Sequence, residues 1–575
     1  MKRIFKSIIL PAFLLVSLTG CLKEYEPTAY ATQDQVSKAD KASLSRAVAA
    51  YMTTYTTDQY YDVGFAGFMI WRDAMSADLP IADAQYDYFS YYNYQNYLGN
   101  YILQTTFWQR YYYLVQKANL VLGAVDGVTE ADLVYEGNAR TYRAMAYLDM
   151  SRMYEYRHTG VASLDAEAQS RGIYGLTVPL VTEKTAESAA RNNPRVPFYH
   201  LYRFILDDLS KAETCLASTH TAETKTSACL GVVYGMKART WLELGSRFEK
   251  HPEDLNTAVQ NEDNKDLEDI EKLGVTTAQQ CFQRAASYAR LAIQEGFTPM
   301  GESDWYNTTT GFNTPNSSWM WCITISPNDP AANACTWQSW VSFIVPEATW
   351  GISTPQYNGG RCIDAALFDQ IPASDWRRKT WIAPADKGRL AAYTETYSSV
   401  TSMSYSEWAE CKEYLGFKYH PASGDRTTSA VGNAVSIPLM RVEEMYLIEA
   451  EATAHASSVG AGVQLLNTFM NAYRYTDGSY KCLAADLDSF TDEVFRQKRI
   501  ELWGEGLILW DYRRLEKAIV RGYPGTNHPS IYWYNSYPNE VAPWTNIYIP
   551  DSERNFNKAV VLNPDPSQVL PLWTE

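Results

Sequence analysis

Apolar side chains return along this chain at steps of three and four, a spacing that confines it to folds in which helix packs on helix. Phe107, Tyr111, Leu114, Ala118, Val121 and Val125 form one such stripe. After a connector containing Gly127, a second follows at Tyr135, Ala139, Tyr142, Ala146, Met150 and Met153. The two segments together approach the roughly 34 residues of a tetratricopeptide-like pair, in which small residues let helices approach closely. The pattern recurs at Tyr202, Leu206, Leu209 and Ala212, from Ala228 to Leu244, and at Ala278, Phe282, Ala285, Ala289 and Ile293, where Gly296 supplies a stop. From about 297 to 436 the rhythm fails. That stretch is rich in Gly, Pro, Ser, Thr and Asn and holds nine of the 17 Trp. Helices are expected again over Leu439–Ala456, Gly462–Tyr473 and Phe490–Ala518, ahead of an aromatic, proline-rich tail. The fold class that follows is all-α dominated, a tetratricopeptide-like helical-pair scaffold with an irregular Trp-rich lobe containing short strands.

The first residues address the chain. Lys2, Arg3 and Lys6 precede an apolar run from Ile8 to Leu18, which closes on Leu18-Thr19-Gly20-Cys21. The run is about half the roughly 20 residues a membrane span needs, so it reads as a secretory signal ending in a lipobox. Cys21 is then the lipidated N-terminus, and acyl chains at about 0.8 kcal/mol per buried CH2 hold the body at a membrane. Residues 1–20 are expected to be signal peptide, 21–39 a polar tether and 40–575 the folded body, with helical repeats over 40–296, the irregular lobe over 297–436, which the family resemblance described below implies to be a variable ligand-binding lobe, and C-terminal helices and tail over 437–575.

A formal net charge of −16 disfavours nucleic acid and anionic membrane surfaces as partners, because both require neutralised phosphates. The chain holds no H-E-x-x-H, G-x-S-x-G, phosphate-binding loop or Cys/His cluster at zinc spacing. No catalytic residue, cofactor or metal is therefore assigned. A glycosidase-like carboxylate pair needs only two acids a few ångströms apart, which sequence does not reveal. The acidic run Asn261–Asp269 offers oxygens for calcium but lacks the glycine of an EF-hand loop, and a solvated loop is the simpler reading. Arg441, Glu443, Glu444 and Glu449 fall in one apolar helix, and Arg496, Arg499, Glu501, Glu505 and Asp511 in another; both sets read as structural ion pairs. Among the eight cysteines after Cys21, Cys322 and Cys335 are the expected pair if any forms.

The 43 Tyr and 17 Trp combine flat apolar faces with polar tips, which suits recognition surfaces as well as cores. Tyr111, Tyr142 and Tyr202 lie on helical stripes and belong to the core. Tyr86, Tyr88, Tyr91, Tyr92, Tyr94 and Tyr97 are too dense for one helical face, so some must meet solvent or ligand. The ligand-binding candidates are Trp71, Tyr88, Trp305, Trp337, Trp340 and Trp350, with a core position the default for any single Trp.

Several blocks together resemble the SusD/RagB family of outer-membrane nutrient-uptake lipoproteins, in that family's order. FWQRYYYLVQKANLVL from Phe107 and ARTYRAMAYLDMSRMY from Ala139, followed by VPLV from Val178, are similar to its early helices. IPLMRVEEMYLIEAEA from Ile437, VFRQKRIELWGEGLILWDYRRLEK from Val494 and YIPDSERNFN from Tyr548 resemble its late signatures. The resemblance implies a non-enzymatic, surface-facing lipoprotein of the outer membrane that captures a glycan and passes it to a TonB-dependent, SusC-like transporter. A peptide ligand is the alternative within the binding class, and a surface glycan-cleaving enzyme the alternative outside it.

Overall fold

The computed structural model describes residues 40–54, 62–81, 87–91, 94–222, 224–333, 339–351, 360–386 and 413–573. Cys21, Trp337, Cys335 and the side chain of Tyr88 fall outside them. So do Tyr86, the side chain of Tyr91, and Tyr92.

The helical stripes fold as antiparallel pairs. Helices α1 (Lys41–Tyr51), α2 (Phe65–Met75), α3 (Ile102–Ala124), α4 (Glu130–Tyr154), α5 (Phe198–Cys215), α6 (Leu230–Lys250) and α7 (Ala278–Gln294) succeed one another along the chain. From α4 to α7 each packs on the one before it, α7 meeting α6 across an acidic connector. The starts are set by side-chain caps: Thr129 accepts from the Asp132 amide ahead of α4, and Thr277 and Gln280 form a reciprocal capping box on α7. Gly296, at φ 90°, ends α7 as its sequence predicts. Small residues set the spacing. Ala285 and Ala289 of α7 are fully buried, and a Cβ on Gly245 of α6 would sit 2.9 Å from the Phe282 ring.

The chain then leaves the scaffold and returns. Strand β1 (Leu176–Pro179) pairs with β2 (Arg195–Pro197) within the scaffold. Strands β3 (Trp319–Thr324), β4 (Trp381–Ile382), β5 (Leu415–Gly416) and β6 (Ser436–Arg441) belong to the irregular region, with β3 antiparallel to β6 and β4 to β5. Helices α8 (Val442–Ala456), α9 (Val459–Tyr473), α10 (Leu487–Glu501) and α11 (Ile508–Arg514) complete the order. Helix α8 packs directly on α7, so the helical stack closes across the intervening residues. The helix-dominated architecture with few short strands matches the fold class the sequence implies.

Two boundaries differ from the sequence reading. Leu439–Arg441 is strand, since β6 pairs with β3 before α8 begins. The expected helix over Phe490–Ala518 is broken after Glu501, because Gly504 and Gly506 take φ 78° and 68°, a left-handed conformation that glycine alone adopts freely. Each also lacks room for a side chain: Gly504 faces the Tyr419 ring and Gly506 the backbone of Met69. Cys322 is a free buried thiol rather than half of a disulfide, and burial pushes it up to about 11. Among the described residues no helix is long and apolar enough to cross a membrane.

Candidate functional site

The late charged motifs converge in the core. Glu501, at the end of α10, takes Arg377 and Arg474 on one carboxylate oxygen at 2.9 and 2.7 Å, and Arg474 and Arg441 on the other at 2.8 and 3.1 Å. Arg441 also donates to Glu505 at 2.7 Å, and Lys418 reaches Glu505 at 2.6 Å. Asp375 and Glu443 complete the set, and every side chain in it is at most 1 % exposed. Burial alone would raise Glu501, but Arg474, Arg441 and Arg377 outweigh it and hold the carboxyl well below the usual range. Burial brings Lys418 down to about 8 against the pull of Glu505. Trp305, Phe312 and Tyr419 surround these cations, with Lys418 5.1 Å from the Trp305 ring. Of the residues read from the sequence as structural ion pairs, Arg441, Glu443, Glu501 and Glu505 form this sealed network, with Lys418, Arg377, Arg474 and Asp375 added by the tertiary fold. The others pair elsewhere: Glu444 with Arg239, Glu449 with Arg290, Arg496 with Glu493, Arg499 with Asp78, and Asp511 with Lys498 and Arg514.

The acidic run forms no cation cage. Backbone carbonyls of the run and of the two residues after it turn inward onto Arg203 of α5, whose guanidinium donates to the carbonyls of Asn261, Leu267, Ile270 and Glu271 at 3.2, 2.9, 3.0 and 3.1 Å. Arg203 is buried. Among the described residues no three His, Cys, Asp or Glu side chains gather as a metal site would require.

The predicted ligand-binding aromatics fare differently from one another. Trp71 lies inside α2 with its ring 4.2 Å from Phe107. Trp305 donates to Thr380 at 3.1 Å and stands against Phe312. Trp340 stands edge-on to Tyr419 at 5.0 Å. All three are buried, and Trp350, at 9 % exposure, donates to Asn433 at 3.1 Å with Gly432 against its ring. None of these four presents a ring face to solvent, which corrects their reading as a platform: in the irregular region Trp supplies the core that regular helices supply elsewhere. The structure does bring their segments together. Asp87, just before the short helix Tyr88–Tyr91, pairs with buried Arg361, and Phe89 packs 4.8 Å from Phe343 in the helix Trp340–Ile344.

Half-exposed aromatics instead form a seam between the Tyr-rich segment and the tail. Tyr97 stacks on Tyr101 at 4.3 Å, and Tyr94 meets Tyr97 and Tyr532 at 6.0 and 5.6 Å. The Gln95 amide donates to the Tyr534 hydroxyl at 2.9 Å, and Gln568 to Asn96 at 2.6 Å. Next to Tyr534, Trp533 stands edge-on to Trp573 at 5.0 Å. The Trp533 indole donates to the His528 carbonyl at 2.9 Å, which fixes its ring. Tyr97, Tyr101, Trp533 and Trp573 are partly solvent-accessible, and Leu572 beside them is 58 % exposed. Ring faces with amides at their edge can hold a flat, hydroxyl-bearing ligand. The density of tyrosines pointed to one side of this seam; the tail's Trp533 and Trp573 were visible only as composition.

A scaffold of stacked helical pairs with a long, irregular excursion between α7 and α8 defines a helical-repeat protein. Residues 331–570, which hold the late motifs, match the model of the SusD family. The fold is similar to that of a SusD-like carbohydrate binding protein from Bacteroides vulgatus, at 19 % identity and a TM-score of 0.64 over 93 % of this chain and 98 % of that one. A SusD superfamily protein from Bacteroides thetaiotaomicron gives 16 % and 0.61 over 92 % and 100 %. A laminarin binding SusD-like protein gives 14 % and 0.57 over 91 % and 98 %. No curated protein matches the chain. The chain is thus similar to SusD-like proteins in fold over about nine-tenths of its length, and to the SusD family in sequence over residues 331–570.

Proposed function

We propose that this protein is a cell-surface lipoprotein that captures a glycan and delivers it, uncleaved, to a TonB-dependent barrel in the same outer membrane. The observation that carries the reading is the seam: four partly exposed aromatic rings, Tyr97 stacked on Tyr101 and Trp533, fixed by its indole hydrogen bond, edge-on to Trp573, with amides beside them. Such a surface packs on the C–H face of a sugar while the amides bond its hydroxyls. Two SusD-like relatives of the same fold are described as binding carbohydrate and laminarin, which supports a glycan as the ligand class. Residues 297–436 serve in this reading as the variable ligand-binding lobe, and Trp337 within it and Tyr88 of the Tyr-rich segment are the remaining aromatic candidates.

Titration of the mature protein with oligosaccharides should reveal binding that Tyr97→Ala, Trp533→Ala and Trp573→Ala each weaken by about 1–3 kcal/mol. Normal binding by all three variants would remove the seam from the site. Preference for peptides in the same titration would favour the peptide reading, and release of reducing sugar would mark an enzyme.

Residues 1–20 serve as the signal peptide and 21–39 as the tether. Confinement at the membrane raises the effective concentration of the binder near a barrel in that membrane, so even a modest contact is sufficient. Cells fed labelled fatty acid should label the wild type but not Cys21→Ala, and mild-detergent pull-down of the wild type should recover a transporter-sized barrel. An unlabelled wild type would refute the anchor, and recovery of the lipoprotein alone with its nutrient present would refute the barrel partner.

A further inference from the structure

Asp73, in the last turn of α2, is a buried carboxylate without a cation of its own. It is 2 % exposed, and one of its oxygens accepts a single hydrogen bond, from the Gly506 amide at 2.9 Å. The other oxygen meets no donor among the described residues. The cations around it are turned to other groups. Arg72, next to it in α2, donates to Asp149 of α4 at 2.7 Å. Lys418 places its three ammonium protons on the Glu501 and Trp503 carbonyls and the Glu505 carboxylate, at 2.9, 2.8 and 2.6 Å. Arg521, from the tail, donates to the Ala74, Met75 and Ser76 carbonyls at 3.1, 2.7 and 3.2 Å. Beyond the end of α2, Asp78 pairs with Arg499 and adds negative charge near Asp73. The remaining neighbour, Tyr419, stays a neutral phenol, since burial raises its hydroxyl well above the usual range.

An ionised carboxylate in this setting gives up its hydration for one amide, so the neutral acid is favoured. Burial is the main cause, and with Asp78 it pushes Asp73 up to about 8 against the Gly506 amide, Arg72 and Lys418. The group sits where two parts of the fold touch at backbone distance. Gly506, in the turn that joins α10 to α11, lies so close to α2 that a Cβ on it would be 2.4 Å from the Met69 Cα. The same turn holds the chain just past α2, because the Trp503 indole donates to the Asp78 carbonyl at 2.9 Å.

We propose that Asp73 is a proton-operated latch between α2 and the turn joining α10 to α11: as the neutral acid it closes the contact, and as the carboxylate it draws water in and loosens it. The direction follows from linkage. The native state keeps a proton on Asp73 that the unfolded chain, with an ordinary Asp at roughly 3.9, has released. The stability this group supplies is therefore complete below about pH 4. It falls by about tenfold in the unfolding constant for each pH unit, until the native carboxyl ionises in turn above about 8. Glu501, held below the usual range, acts with the opposite sign and in acid.

Denaturant unfolding of the full mature protein from about pH 5 to 9, beside Asp73→Asn and Asp73→Ala, tests the proton. The unfolding constant of wild type divided by that of either variant should rise about tenfold per pH unit up to about pH 8 and level off above it. The slope is the readout, so a variant that loses packing still reports it. Hydrogen exchange at about pH 9 tests the contact. Wild type should exchange faster than Asp73→Asn over residues 65–75 and 502–507, by a larger factor than over α5. A ratio that stays flat with pH for both variants would overturn the proton on Asp73. An equal exchange factor over α5 would overturn the latch as a local contact.

Discussion

Replacing Glu501 with alanine is expected to lower the unfolding free energy by about 3–5 kcal/mol, the cost of leaving buried charges without their partner. The effect is concentrated there because one carboxylate serves Arg377, Arg441 and Arg474 together, all fully buried. Water cannot replace it without opening the core between β6, α10 and the residues around Arg377. Denaturant unfolding of the purified variant reads the loss, and a midpoint equal to wild type would show the network to be dispensable. Acid should reproduce part of it. Glu501 and Glu505 are held below the usual carboxylate range, so between their native and unfolded pKa values the unfolded chain binds more protons and stability rises with pH. Glu451, which burial would raise, is brought to about 2 by Arg514 and Lys498 and acts in the same sense. The stabilisation is complete above about pH 5 and is lost as pH falls through about 4 and below.

Arg203→Met should destabilise the protein by about 2–4 kcal/mol, since several carbonyls lose a charged donor while water recovers only those near the surface. Chelation of divalent cations should leave the wild-type melting temperature unchanged. The two measurements separate the alternatives for Asn261–Asp269: a large drop with chelator would reveal a bound cation, and a neutral Arg203 variant would show the loop to be held by something else. The methionine keeps the apolar stem of arginine and omits only the guanidinium head, so packing of the stem is preserved and the readout is the lost hydrogen bonds.

The sequence alone determined what local physics controls. A stripe at three- and four-residue steps buries one face of a helix wherever it sits, which is why α3, α4, α5 and α7 lie where the spacing puts them and why Tyr111, Tyr142 and Tyr202 are core. The charged late motifs were legible as an ion-pair network because apolar helices cannot bury carboxylates unpaired. The tertiary structure decided the rest. Leu439–Arg441 became strand because Trp319–Thr324, more than a hundred residues away, offered it a partner, and α10 ended at Glu501 because Tyr419 and Met69 crowd Gly504 and Gly506. The aromatics show the same limit most sharply. Trp305 and Trp533 both lie in segments without helical rhythm, yet one is enclosed by Phe312 and Thr380 and the other lies half open beside Trp573. Solvent exposure outside regular helices is set by long-range contacts, and no spacing rule within the chain encodes them.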